Sequence, residues 1–332
     1  MEKMNPNRPL VTMHIACYNQ EWCIRETLEG AFSQTYSPLD IVISDDCSTD
    51  RTWQIVLEMV ERYRREDGRH NVILNRNPEN SYRAPVERKN KIRAYVQSLW
   101  HGELIVQADG DDVSLPNRVE DVVSVWMKSG QKADLLMSGA IRIDKSGKCA
   151  GTRSCYSGPS GSSMAYTKRM EDVYGCFTVT PVHGDDVRFY RAQMLGGVKL
   201  IDKSLLKYRI CEGVSQVLKE FREPMIRNYT CIRNNRKQLL LDVEKIKCRL
   251  SATDYQNWKR QFECELRKWD DELLLWESDS FLMRWRGYWS MKMKRRFLSG
   301  MVVYGPLLLL PRWIGNPLLN LVHKIMRIVH VK

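Results

Sequence analysis

Four times in its first 130 residues the chain sets a short apolar run before a stretch with helical spacing. Residues 10–16, 40–44, 71–74 and 103–106 read as strands. The intervening helices span 21–34, a segment through Trp53, Val56, Val60 and Tyr63, residues 85–100, and residues 119–127. Ser48 or Thr49 is the expected cap of the second. Strands and helices of these lengths in strict alternation form βαβ units, so the chain is expected to be α/β, with a mainly parallel sheet flanked by helices.

The ends of these strands carry the chemistry. Gln107-Ala108-Asp109-Gly110-Asp111-Asp112 closes the fourth strand, placing three carboxylates where ligands bind in open α/β sheets. Their mutual repulsion is relieved by a divalent cation or a donor-rich ligand. A plain Asp/Gly turn with solvated side chains is the competing explanation. Tyr18 and Asn19 follow the first strand, and Asp45 and Asp46 follow the second. An acid such as Asp46 can accept from a base N–H or a ribose hydroxyl. Tyr18 can stack on a base or be an ordinary half-buried ring. No G-x-G-x-x-G follows the first strand and no P-loop motif occurs, which disfavours NAD-type and P-loop nucleotide sites.

Farther on, residues 133–144 form another expected strand, and a Gly/Ser-rich loop spans 156–163. His183-Gly184-Asp185-Asp186 then opens a helix that ends at Gly196-Gly197. Asp185 can cap that helix, but two consecutive aspartates cannot both do so, and one points elsewhere. Strands at 198–201 and 205–210 complete the sheet region.

Taken in order, these pieces resemble a family 2 glycosyltransferase of the GT-A fold. The resemblance rests on Val11-Thr12-Met13-His14-Ile15-Ala16-Cys17-Tyr18-Asn19, Gln34-Thr35-Tyr36, Ile41-Val42-Ile43-Ser44-Asp45-Asp46-Cys47-Ser48-Thr49-Asp50, Ala108-Asp109-Gly110-Asp111-Asp112, Gly184-Asp185-Asp186 and Lys207-Tyr208-Arg209, and covers roughly residues 8–215. It implies inverting transfer of a sugar from a nucleotide diphosphate sugar, a UDP-sugar favoured, to an acceptor hydroxyl. By the same resemblance Ala16 and Tyr18 belong to the nucleotide site, Asp46 reads the base, Asp109 contacts the ribose, and Arg83 lies near the nucleotide. Asp111 falls on the metal-coordinating acid, with Mg²⁺ or Mn²⁺ bridging the diphosphate, and Asp186 on the general base. The pair is Asp-Asp where the family has Glu-Asp, so Asp185 is the alternative base. Cys211 stands where many members have a histidine. Two other readings are a metal-dependent nucleotidyltransferase and a non-catalytic glycan- or nucleotide-binding protein on the same scaffold.

The net charge of +12 is concentrated at the end: residues 280–332 hold ten Lys and Arg and no acid, leaving +2 for the rest. A nucleic-acid footprint on the main domain is therefore not expected. Ten cysteines without metal-ligand spacing and a polar start at 1–9 suggest a cytosolic protein with reduced thiols. The expected organisation is a catalytic domain at 8–216, a helical extension at 217–279 and a basic, aromatic tail at 280–332. In the extension, Thr253 and Gln256 form a candidate capping box, and a stripe through Trp258, Phe262, Trp269 and Trp276 is expected to pack on the catalytic domain. The tail interleaves cations with rings, as in Arg284-Trp285-Arg286. It is expected to lie on the anionic inner face of the cell membrane, beside a glycan or lipid-linked glycan acceptor as in bacterial surface-polysaccharide assembly.

Overall fold

Strands β1 (Val11–Cys17) and β2 (Leu39–Asp45) are buried along almost their whole length. Strands covered on both faces have no solvent side to keep polar, so they read as continuous apolar runs and suit a parallel sheet. With β3 (Asn71–Arg76) and β4 (Leu104–Asp109) they form an all-parallel block in the order β3-β2-β1-β4. Helices α1 (Ile24–Phe32), α2 (Thr52–Glu66) and α4 (Arg118–Lys128) contribute Leu28, Met59 and Trp126, among others, to the main core. Helix α3 (Val86–Ser98) differs, burying only Ile92 and Val96. Its remaining face is polar, and that leaves room for the cavity described below.

The computed structural model describes residues 8–210, 222–293, 307–310 and 317–319. Cys211 and most of the tail beyond residue 293 lie outside these residues. Contacts divide the chain into a first unit, residues 1–178 with 184–211, and a second, residues 179–183 with 212–332.

The rest of the first unit extends the parallel block into a mixed sheet, mainly parallel as expected. Strand β8 (Met164–Thr167) runs antiparallel to β4 and to β6 (Leu135–Ile143), and β9 (Val198–Arg209) runs parallel to β6. The two strands expected at 198–201 and 205–210 are thus one, crossing a register irregularity at Ser138/Gly139 of its partner. Strand β7 (Cys149–Arg153) returns from the turn at 145–148 onto β6. Strand β5 (Val113–Ser114) pairs with β9 four places from β4, yet begins only four residues after β4 ends. Four residue steps reach about 14 Å, whereas four strand spacings in a flat sheet need about 19 Å. The sheet therefore curls, bringing its far edge back beside the acidic turn. Helices α5 (Lys168–Tyr174) and α6 (Gly184–Met194) complete the unit.

The second unit contains α7 (Arg222–Lys245), α8 (Ala252–Glu277) and α9 (Phe281–Met293). The cap of α8 is Ser251, not Thr253: its hydroxyl accepts from the Asp254 N–H at 3.0 Å and donates to Asp254 Oδ2 at 2.7 Å. Of the tryptophan stripe, Leu273 and Trp276 pack within the second unit with Tyr229 of α7, Leu308 and Leu319. One tail cation is structural: buried Arg284 donates to the Leu308 and Leu310 carbonyls at 2.9 and 2.8 Å. On α9, Phe281, Leu282 and Trp285 stay exposed, Leu282 at 75%. Among the described residues no helix is long and apolar enough to cross a membrane.

Candidate active site

The carboxyl ends of β1 and β2 are tied together by a polar exchange. Asn19 Oδ1 accepts from the Thr49 N–H at 2.8 Å, and the Asn19 N–H donates to Ser48 Oγ at 3.0 Å. Both ends carry a non-glycine residue in the left-handed region, Asn19 at φ 52° and Cys47 at φ 63°, a strained conformation that surrounding contacts must hold. Ser48, one of the expected caps of α2, serves here instead: its hydroxyl donates to Asp45 in a short bond, while Asp50 Oδ1 accepts from Thr52 N–H at the helix start.

The two aspartates after β2 have separate tasks. Asp45 is fully buried, accepts from the Ser48 N–H and pairs with Arg76 at 3.2 Å, so it fixes the turn. Asp46 faces the cavity. Its Oδ1 accepts from Asn77 Nδ2 and the Ser81 N–H, each at 2.8 Å, and its Oδ2 accepts from Ser81 Oγ at 3.0 Å. A carboxylate has about four acceptor positions, so this one is oriented by the protein and still has capacity for a ligand.

The turn after β4 depends on Gly110. A Cβ there would lie 2.2 Å from Gln20 Oε1 and 2.6 Å from Cys17 Cβ, so only glycine lets the turn press against β1. The Gly110 carbonyl also accepts from Thr27 Oγ1 at 2.9 Å. Burial, then repulsion from Asp112, Asp111 and Asp185, pushes the Asp109 carboxyl up to about 7. Asp112 is pushed up to about 6, chiefly by burial and against the pull of the Ser162 hydroxyl and the Arg209 N–H. Beneath them lies Arg118, buried and bonded to Ser114 Oγ and the Gln107 and Ser162 carbonyls. Its burial lowers the guanidinium to about 10, against the attraction of Asp112 and Asp109.

Arg209 staples the turn to the edge of the sheet. Its N–H donates to Asp112 Oδ1 at 2.8 Å, its Nε to the Asp111 carbonyl at 3.0 Å, and its Nη2 to Glu26 at 2.8 Å. The Tyr208-Arg209 sequence thus contributes an arginine that holds the acidic turn in shape.

Asp185 and Arg188 of α6, one turn apart, look into the same space. Burial opposes the charge of Arg188, but Glu171, Tyr166 and Asp185 outweigh it and hold the guanidinium above its ordinary value. Glu171 bonds Arg188 Nε at 2.6 Å, and the guanidinium sits 4.6 Å over the Tyr166 ring.

These elements enclose a cavity of about 500 Å³, within the ~300–1,000 Å³ of small-molecule sites. Of the residues singled out in the sequence it brings together Ala16, Asp46, Asp109 and Asp185. Tyr18, Arg83, Asp111 and Asp186 are not on its wall. Tyr18 is half-buried, with its N–H on Gln20 Oε1. Arg83 is exposed, with its N–H on the Asn80 carbonyl. Asp186 donates its N–H to Asp185 Oδ1 at 3.2 Å. The cations that do line the cavity are Lys89 and Arg93 of α3 and Arg188. Sequence reading missed them because a charge on a helix usually marks a solvated face. Asn77 and Ser81 had a readable signal, an Asn/Pro/Ser loop at the end of a strand.

The acids suit a hard divalent cation in chemistry: carboxylate oxygens crowd one turn, and burial together with their repulsion already raises Asp109. Among the described residues no group of three or more His, Cys, Asp or Glu is arranged to hold a metal. A cation bound by one or two carboxylates and completed by substrate phosphates needs no such preformed cage.

Residues 12–147 match the family described as Glycosyl transferase family 2. A relative from Escherichia coli, the UDP-Glc:alpha-D-GlcNAc-diphosphoundecaprenol beta-1,3-glucosyltransferase WfaP, is 51% identical over 47 residues, 14% of this chain and 19% of its own. The chain spans about half the length, or less, of the curated relatives it matches over longer stretches. Among solved structures, S. aureus TarS 1-349 in complex with UDP-GlcNAc superposes with a TM-score of 0.55 at 16% identity, over 96% of this chain and 91% of that one. The mannosyltransferase PcManGT from Pyrobaculum calidifontis, in complex with GDP-Man and Mn²⁺, gives 0.53 at 16% identity, over 87% and 76%. At such identities the likeness shows the fold, a mainly parallel sheet of GT-A type. The matched segment and the fold together make this chain similar to glycosyltransferase family 2 over residues 12–147.

Proposed function

We propose that this chain is an inverting glycosyltransferase that moves a sugar from a nucleotide diphosphate sugar, by preference a UDP-sugar, to a hydroxyl of a glycan or lipid-linked glycan in bacterial surface-polysaccharide assembly. The observation that carries the reading is a single cavity in which Asp46, Asp109 and Asp185, from three distant segments, meet three cations. In it, Asp46 accepts from the nucleoside, positioned by Asn77 and Ser81. Lys89, Arg93 and Arg188 balance the charge of the diphosphate. Asp109 contacts the ribose, and Asp111 would hold Mg²⁺ or Mn²⁺, which when bound stabilises charge on the departing phosphate.

Inversion needs one displacement and one base, with no covalent nucleophile. Adjacent residues on a helix point about 100° apart, so Asp185 on the cavity wall touches the donor while Asp186 is left for the acceptor. Asp186 takes the proton of the incoming hydroxyl, a contribution of typically ~10²–10⁴-fold. The names of WfaP and of the TarS complex support a UDP-sugar donor, that of PcManGT a divalent ion, and that of WfaP a lipid-linked acceptor. The exposed Phe281, Leu282 and Trp285, in a segment with no acid, support docking on an anionic membrane surface.

The test is release of nucleoside diphosphate from UDP-glucose, UDP-galactose, UDP-N-acetylglucosamine and GDP-mannose, with Mn²⁺ and with chelator. One donor is expected to turn over only with metal. Asp186→Asn should keep donor binding and lose turnover, whereas Asp185→Asn should weaken donor binding. Full turnover by Asp186→Asn would overturn the base assignment, and turnover unaffected by chelator would overturn the metal requirement.

A further inference from the structure

Phe177, just after α5, is crowded by guanidinium groups. The carbons of Arg93, Arg188 and Arg191 lie 4.7, 5.3 and 4.7 Å from its ring centroid. Arg93 and Arg188 also line the cavity, whereas Arg191 is not on its wall. Arg188 has its acids: Glu171 takes Nε at 2.6 Å, and Asp185 attracts it as well. The second Glu171 oxygen accepts from Gln97 at 2.7 Å, so both are engaged. Lys89 lies one turn before Arg93 on α3; burial and Arg93 lower it, and Asp46 opposes them.

Arg93 is left without an acid of its own. Among the described residues no acceptor takes a hydrogen bond from it, and its close contact is the Phe177 ring. Burial and then the repulsion of Arg188 lower its guanidinium, against the pull of Cys176 and Glu171. Of its nitrogens Nη1 is shut away, while Nε and Nη2 are open. These two share one edge of the guanidinium plane, and such an edge matches the two oxygens of a carboxylate. On Arg188 the outer nitrogens Nη1 and Nη2 are open as well. A largely enclosed cation with open donors and no partner acid calls for an anion brought by the ligand.

The diphosphate does not meet this need by itself. In the proposed site a divalent ion on Asp111 matches its charge, at the turn that closes β4. Tyr166, under the Arg188 guanidinium, pairs with Ile105, four residues before Asp109. About 13 Å of strand separates that position from Asp109. Charge is thus sorted along the cavity, with the β4 acids at the turn and the arginines farther down the strand. A second anion is repelled at the turn and attracted beside Arg93, and the nearby Asp185 already has Arg188 against it.

Building on the glycosyltransferase reading, we propose that Arg93, with Arg188, forms a carboxylate subsite for the transferred sugar, so that the preferred donor is a nucleotide diphosphate uronic acid. A neutral sugar leaves Arg93 without its anion and binds more weakly.

The experiment titrates the full chain with Mn²⁺ and UDP, and with two pairs of donors, UDP-glucuronate against UDP-glucose and UDP-galacturonate against UDP-galactose, by calorimetry. Within each pair the sugars differ in one group, carboxylate for hydroxymethyl. At least one uronate should bind about ten-fold or more tightly than its neutral counterpart, the size of a hydrogen-bonded contact to a charged group. Arg93→Gln should bring that ratio close to one, since loss of a diphosphate contact weakens both members of a pair alike. Arg93→Lys, which keeps the charge and loses the fork, should keep part of the preference. Melting curves establish that the variants fold, and the wild-type ratios alone decide if neither does. Equal binding within both pairs, or a ratio unchanged in Arg93→Gln, overturns the subsite and leaves the glycosyltransferase reading standing. Failure of UDP and of all four donors to bind wild type sinks that reading, and the subsite with it.

Discussion

Replacing Asp109 with asparagine should make the ligand-free protein more stable, although it removes a residue of the proposed site. Asp109 is buried, stands among Asp112, Asp111 and Asp185, and is pushed from 3.8 to about 7 by burial first and by their charges second. Because the folded-state value lies above the ordinary one, the folded protein holds this proton longer than the unfolded chain does. The stability contributed is complete below pH 3.8 and is lost as pH rises through 7. A displacement of that size corresponds to about 4 kcal/mol at full ionisation. Solvent in the open cavity screens the charges, and about 2 kcal/mol is the expected gain for Asp109→Asn at pH 8. The acids titrate together, so part of this gain arises from relief of Asp112. Urea denaturation at pH 5 and pH 8, read by tryptophan fluorescence, measures it. The variant should exceed wild type at pH 8 and by less at pH 5. Saturating UDP and Mn²⁺ should erase the difference by stabilising wild type alone. A variant no more stable than wild type at pH 8, or a gain independent of pH, would refute the electrostatic account of this turn.

Glu272 of α8 is fully buried, neither of its oxygens has a hydrogen-bond partner among the described residues, and burial pushes it up to about 7. Its folded value also exceeds the ordinary one, so this stability is lost as pH rises through 7, and Glu272→Gln should gain up to about 3 kcal/mol above pH 8 and little near pH 4; pH-dependent denaturation curves check it. Gly110→Ala should cost about 3 kcal/mol or more, because the new methyl overlaps Cys17 and Gln20; a normal melting temperature would contradict the close packing. Ser251→Ala should cost about 1 kcal/mol through the lost cap of α8, while Thr253→Ala should cost little.

The parallel block was legible because its strands are apolar on both faces and closed by acids or amides, as at Asp45-Asp46 and Asp109-Gly110-Asp111-Asp112. The reversed strands were not. β5 has two residues and β8 four, lengths at which periodicity carries no information. The long β9 looked like two strands because Asp202-Lys203-Ser204 interrupts it, and only pairing with β6 shows it to be continuous. In the site, Asp46, Asp109 and Asp185 could be found as acids at element ends. Arg93 and Arg188 could not, since their inward aim depends on the weakly apolar face of α3 and on the Glu171 partner. His14 was hidden inside an apolar run, where a histidine gives no sign that it lines a cavity. Of the tandem acids, the sequence offers no means of telling the cavity-facing Asp185 from Asp186, a distinction that helix phase decides.

A crystal structure with the preferred nucleotide sugar and Mn²⁺ tests the central claim most directly. It should place the base against Asp46, the ribose against Asp109 and the diphosphate beside Arg188. A nucleotide bound outside this cavity, or a base lying nowhere near Asp46, would contradict it.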